Sequence, residues 1–351
     1  MKAALFYGNK RDIRIEERPL PPLARGEILL KIEACGICGS DARSYFNGIE
    51  ERYKIPIILG HEISATINDT GGGVKGYGVG ERVTVAPIYG CGQCEFCISG
   101  KENLCNEVVV FGCTMDGGFA EYMLVPQKAV ERGVLVKLPV SVSNAAGTLI
   151  EVFSCCLHGQ RRAGIHPSDS VVIFGAGPIG LAHLTIAKKI GAGVVGVVDL
   201  VPSRLEEATK FGADFVVNAT ETDWVSKVKN AIGTGGCEIA ITAAPSVNSI
   251  EYALKIIKKG GIILVFGGLP HGSQLNLDPN LIHYQEVTIT GSIDATIDDF
   301  NRAVRMAPSF NLERFVTHRF PLSAIHEAMA VMERKQGLKV IFDLELLSAK
   351  Y

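Results

Sequence analysis

The chain has 351 residues, of which 47% are hydrophobic, 21% charged and 39 glycine, with a formal net charge of −2. This length allows two domains with separate cores, and the composition is that of a globular protein rich in tight turns. The near-neutral balance gives no electrostatic case for nucleic acid or an anionic membrane as partner, and no run of about 18 apolar residues offers a membrane span.

The N-terminal MKAALFYGNKRDIRIEERP alternates and carries charges early, so it predicts a strand rather than a signal peptide, and a cytoplasmic location is expected. In that reducing compartment ten cysteines do not read as a disulfide framework, whereas clustered ones read as metal ligands. Residues 1–151 are a string of short β-prone runs, among them EILLKIEACG, EISATIND, ERVTVAP, FAEYMLVP and GVLVKLP. Gly and Pro punctuate them, which predicts an irregular all-β domain with loops.

Two sets of ligand types lie in this first domain. CGQCEFCISGKENLC packs Cys91, Cys94, Cys97 and Cys105 into fifteen residues. Four thiolates close a tetrahedral zinc and one local loop holds them all, so this set predicts a structural ion; chance clustering of free thiols is a poor alternative at C-x-x-C spacing. The second set is mixed and comes from distant segments: Cys38 in ACGICGSD, His61 and Glu62 in ILGHEIS, and Glu151 in LIEVFS. Such a set leaves zinc a position open for water or substrate. Cys38 alone would read as a buried hydrophobe, as Cys35, Cys113, Cys155, Cys156 and Cys237 do, and His61 with Glu62 as a capped turn. The combination carries the metal reading. Glu62 as a direct ligand and Glu62 standing behind the ligands are left as equal alternatives.

From residue 152 the texture changes. VVIF, VVGVV, FVV, EIAIT, IILVF and VTIT alternate with helix-like segments, which predicts an open, mostly parallel sheet of six strands over 152–294. In VVIFGAGPIG the glycines Gly175, Gly177 and Gly180 follow a strand and open a helix. The first allows the tight turn, the second lets backbone approach a pyrophosphate, and the third allows close helix packing. With Pro178 and Ile179 they bring a helix N-terminus to the phosphates. Asp199, nineteen residues after Gly180, closes the next strand where a carboxylate bonds the adenosine ribose. It would repel a 2′-phosphate, favouring NAD over NADP; Arg204 weakens that preference. Residues 295–351 leave the strand–helix rhythm and are expected to rejoin the first domain.

On these motifs the chain resembles the zinc-dependent medium-chain dehydrogenase/reductase family over essentially its full length. GHEISATINDTGGGV follows the family's GHE signature with Ala65 at a usual glycine, CGQCEFCISGKENLC its structural zinc loop, and GAGPIG with DLVPSR its NAD site. The resemblance implies an α/β plus β fold: a GroES-like catalytic domain with an inserted Rossmann doubly wound sheet. Within the family the chain is most similar to the polyol dehydrogenases, of which sorbitol dehydrogenase is the type. Glu151 stands where that group carries glutamate, and Phe111 and Thr114 match positions lining its substrate pocket. Ser40 matches the serine of the proton relay, but Arg43, Ser44, Asp294 and Ala295 depart from the group's His, Tyr, Arg and Tyr.

The resemblance further implies one catalytic and one structural zinc, NAD as cofactor, and a polyol or related alcohol as substrate. The hydride would pass from a secondary alcohol to NAD, giving a ketone, with the proton leaving through Ser40 or the zinc-bound water. A homo-oligomer, tetramer or dimer, is expected. The rival readings are a zinc dehydrogenase of a threonine-like or amino-sugar substrate, for which Asp294 would suit an ammonium, and a nucleotide-binding relative that has lost catalysis.

Overall fold

The computed structural model describes residues 1–48, 54–233 and 235–346. The first segment opens with strands β1 (Lys2–Phe6) and β2 (Ile13–Glu17), followed by the long β3 (Ile28–Gly36), whose residues are buried except Lys31. Helix α1 (Gly39–Asn47) comes next, in a region expected to be β and loop. CGSDARSYFN has no helical apolar stripe; a local cap starts the helix instead, since Asp41 Oδ2 accepts from the Cys38 N–H at 2.9 Å across one turn. Strands β4 (Ile57–Ile58), β5 (Glu62–Thr70), β6 (Arg82–Val85) and β7 (Ile88–Tyr89) lead to the cysteine-rich loop. That loop contains the single-turn α2 (Glu95–Ile98). After it come β8 (Val109–Val110), β9 (Tyr122–Val125), α3 (Gln127–Glu131), β10 (Leu135–Lys137) and α4 (Asn144–Gly147).

Helix α5 (Ile150–Arg162) carries the chain into a six-stranded sheet. Its strands are β11 (Ser170–Phe174), β12 (Val194–Asp199), β13 (Phe215–Asn218), β14 (Cys237–Thr242), β15 (Ile257–Val265) and β16 (Thr288–Gly291). The helices between them are α6 (Pro178–Ile190), α7 (Pro202–Lys210), α8 (Trp224–Ile232), α9 (Val247–Ile256) and α10 (Pro279–Gln285). All neighbouring pairs are parallel and the order is β13-β12-β11-β14-β15-β16, the doubly wound arrangement. Continuous apolar runs such as SVVIF fill it because helices cover both faces of a parallel sheet; β11 is buried throughout. Val172, Phe174, Val198, Ala240 and Ile263 form part of its core.

The last segment adds α11 (Ile297–Met306), β17 (Val316–Phe320), α12 (Ile325–Glu333) and β18 (Lys339–Asp343). Here the chain re-enters the first sheet: β18 pairs antiparallel with β3, placing Ile341 opposite Gly36 and Phe342 opposite Cys35. The resulting order is β10-β6-β5-β3-β18-β17, with β9 also on β3. Two compact units result, Met1–Ser154 with Ala295–Tyr351 and Cys155–Asp294, the first division falling inside α5. Among the described residues no helix is long and apolar enough to cross a membrane.

Candidate functional site

Three groups of predicted residues are assembled within their own units. The first is the cysteine quartet. One ligand atom from each of Cys91, Cys94, Cys97 and Cys105 lies within 4.8 Å of all the others. The Cys91–Cys97 and Cys94–Cys105 sulfurs are 3.9 and 3.7 Å apart. A tetrahedron with zinc–sulfur bonds of about 2.3 Å has edges of about 3.8 Å, so the thiols stand where such an ion needs them. Backbone N–H groups of Cys91 and Cys94 point at the Cys105 and Cys91 sulfurs at 3.3 and 3.4 Å. Gly90 makes the close packing possible, since a Cβ there would fall 2.4 Å from Cys97 Sγ.

The second group joins Cys38, His61 and Glu62, whose ligand atoms also lie within 4.8 Å of one another. Cys38 caps the N-terminus of α1. His61 precedes β5 and Glu62 opens it. Burial opposes a charged His61, but the negative charges of Asp41, Cys38 and Glu151 outweigh it and hold the imidazole well above the ordinary histidine range. A divalent cation would occupy the place of that proton. Glu151, in the first turn of α5, stands outside the three-residue cluster but contributes charge to it. Ser40, two residues after Cys38, is half-buried in the first turn of α1.

Two residues of this site were not singled out from the sequence. Asp41, 3% exposed, accepts from the Cys38 and Gly60 N–H groups and lies 3.7 Å from His61 Nδ1, so it ties both candidate ligands to one carboxylate. Its signal was the capping spacing in CGSD. Lys339 opens β18 and donates to Glu62 in a pair with side chains 7% and 0% exposed. Burial opposes its charge, yet Glu62, Cys38 and Glu151 raise its pKa and keep it an ammonium. Glu62 is therefore claimed from behind by a cation. Only Oε1 accepts in hydrogen-bond geometry; Oε2 lies against the same ammonium without a hydrogen bond. Gly36 leaves room for it, as a Cβ there would fall 2.0 Å from Oε2.

Phe111 and Thr114, the expected pocket residues, both lie in the first unit. Phe111 is 0% exposed and packed near Tyr89. The Thr114 hydroxyl bonds the Val110 backbone, and the residue lines a cavity of about 480 Å³ that none of Cys38, His61 or Glu62 borders. Asp294, exposed and at φ +52°, ends the inserted unit.

The third group lies in the inserted unit. Gly175 turns the chain at φ +108°, and a Cβ at Gly180 would fall 1.7 Å from the Gly175 carbonyl oxygen, so both glycines are obligatory. A Cβ at Gly177, the cap of α6, would meet nothing within 4 Å; the backbone is open there to a ligand. Pro178 starts α6 without a lost N–H, and Ile179 and Gly180 supply first-turn N–H groups without helical acceptors. Asp199 accepts from the Ala176, Leu200 and Val201 N–H groups at 2.7, 2.7 and 2.9 Å. Three of about four acceptor positions are thus filled, fixing the carboxylate and leaving capacity for a hydroxyl. Arg204 lies in α7, half-buried.

Comparison with known proteins places this arrangement. Residues 24–139 match the alcohol dehydrogenase GroES-like domain and residues 178–309 the zinc-binding dehydrogenase domain. The chain is 34% identical to sorbitol dehydrogenase of Bacillus subtilis, covering 97% of this chain and 96% of that protein. It is also 34% identical to L-galactonate-5-dehydrogenase of Escherichia coli, over 92% of this chain and 93% of that one. A solved zinc-binding dehydrogenase from Sinorhizobium meliloti, bound to NADP, superposes with a TM-score of 0.90 at 28% identity, covering 97% and 98% of the two chains. The chain belongs to the zinc-dependent medium-chain dehydrogenase/reductase family, in its polyol group. It is a zinc-containing oxidoreductase that acts on small alcohols with a nicotinamide cofactor, built from a GroES-like and a Rossmann fold.

Proposed function

We propose that this protein oxidises a secondary alcohol of a polyol or sugar alcohol to a ketone with NAD, using one catalytic and one structural zinc. The observation that carries the reading is the mixed Cys38–His61–Glu62 cluster beside Glu151, set apart from a closed four-cysteine loop. Cys38, His61 and Glu62 would hold a zinc ion that supplies Lewis acidity, and the Gly175–Gly180 turn with Asp199 would hold a nicotinamide cofactor that supplies the hydride acceptor.

The chain's own residues do the rest. Asp41 holds the Cys38 backbone and faces His61, so both ligands are preset. Lys339 balances Glu62, which lets two carboxylates, Glu62 and Glu151, stand near one cluster without a large excess of negative charge. Ser40, in the first turn of α1, takes the hydroxyl proton on this reading. The Gly175–Gly180 turn receives the pyrophosphate, and Asp199 receives the ribose and disfavours a 2′-phosphate. Asp294, where the polyol group has arginine, disfavours anionic substrates by roughly 1 kcal/mol for a partly solvated pair.

A kinetic panel with NAD tests the proposal: sorbitol, xylitol, an inositol, threonine, a sugar acid, a sugar phosphate and simple primary alcohols. Highest kcat/KM on an uncharged polyol is expected. Best efficiency on threonine, a sugar acid, a phosphorylated sugar or ethanol-like alcohols would refute the substrate class while leaving the zinc chemistry in place. No turnover with any member would favour a nucleotide-binding protein without catalysis.

A further inference from the structure

The cysteine loop has a cationic neighbour that neither the fold nor the reaction accounts for. Arg132, the residue after α3, donates from Nη2 to the Cys91 carbonyl oxygen at 2.9 Å. Its guanidinium lies so close over the loop backbone that a Cβ at Gly92 would fall 1.8 Å from Cζ and Nη2. Arg132 also lines a cavity of about 210 Å³ together with Gly90, Cys97 and Glu102. Arg132 and one cysteine of the quartet therefore border a single space. The acid lining that cavity, Glu102, accepts from the Ile297 N–H through Oε1 at 2.5 Å and forms no ion pair with Arg132 among the described residues. Among the described residues no carboxylate pairs with Arg132.

A divalent ion held by four thiolates leaves the centre with two excess negative charges. A permanently charged planar group laid over one side opposes that excess and covers the sulfur beneath it. We propose that Arg132 is a positioning residue for the structural zinc, which slows loss of the ion by offsetting the charge of the four-thiolate centre and shielding its Cys97 side. This inference rests on the reading of the quartet as a zinc site. It goes beyond a simple tie to the loop backbone, which an uncharged donor would also provide.

Zinc transfer to a chromogenic chelator tests it, using the full-length chain in a Cys38→Ser background so that the structural ion alone is followed. Arg132→Gln keeps a donor for the Cys91 carbonyl but removes the charge; Arg132→Lys keeps the charge but loses the planar fork. Release from the Gln variant should be roughly fivefold faster at low salt, the scale of one screened charge at a few ångströms. The Lys variant should stay near the parent. In 1 M salt, where the screening length is about 3 Å, the difference should collapse. Equal release from parent and Gln variant, equal acceleration in both variants, or a difference indifferent to salt would overturn the charge role. A parent protein that carries no ion on the quartet would show instead that the zinc reading of the loop had failed, and the inference would fall with it. Circular dichroism of each zinc-loaded variant separates ion loss from unfolding.

Discussion

Glu62 and Lys339 stand 277 positions apart in sequence and share one buried ion pair. Removing one partner from such a pair leaves a charge without water or counter-ion. Lys339→Met should lower the unfolding free energy of the zinc-loaded protein by about 3–5 kcal/mol in urea titrations. The double variant Glu62→Gln/Lys339→Met should recover much of that loss; equal destabilisation by both would show that the charge is not what matters. At the cofactor end, Asp199→Ala should raise the ratio of kcat/KM for NADP over NAD. A wild-type enzyme already more efficient with NADP would reverse that expectation and point to Arg204. Residue types and spacings made Cys38, His61, the quartet and the glycines readable. Lys339 was not readable, because its place follows from β18 pairing with β3 across the whole chain. The burial of Phe111 was equally invisible, since an aromatic in a loop carries no sign of which way it packs.

Among the elements, the loop from Cys91 to Cys105 has only a four-residue helix and a short 3₁₀ turn, and so little apolar packing of its own. An ion there contributes folding energy directly. Metal analysis of Cys94→Ser should show one zinc fewer than the two expected per chain, with a lower melting temperature; a folded variant retaining both would contradict the assignment. Helix α6 offers a different test. His183 is fully buried on it, with Gln160 Nε2 donating to its carbonyl at 2.8 Å and facing Nδ1 at 3.2 Å. Burial pushes its pKa from 6.5 down to about 3. The unfolded chain therefore binds the proton first, and stability falls as pH drops from about 6.5 toward 3, by up to about 1.4 kcal/mol per unit. His183→Asn keeps an acceptor without the titration, so its stability relative to wild type should improve across that window. A constant difference from pH 7 to pH 4 would contradict the assignment. The strands of the two large sheets were legible from periodicity and turn residues, but α1 was not: its start depends on the Asp41 cap rather than on an apolar stripe.

At the scale of the molecule, the alternation from VVIF to VTIT announced the parallel sheet, and the loss of that rhythm after residue 294 announced the return of the chain. The physical reason is that parallel strands buried on both faces need continuous apolar runs, which differ from the punctuated strands of the first unit. On the proposed function, the ion on Cys38 and His61 serves the reaction while the quartet serves the fold. Cys38→Ser tests it most directly, by NADH formation from the best polyol at measured zinc content. One zinc per chain, unchanged NAD binding and loss of most turnover are predicted; near-normal turnover in protein shown to lack that ion would contradict the account.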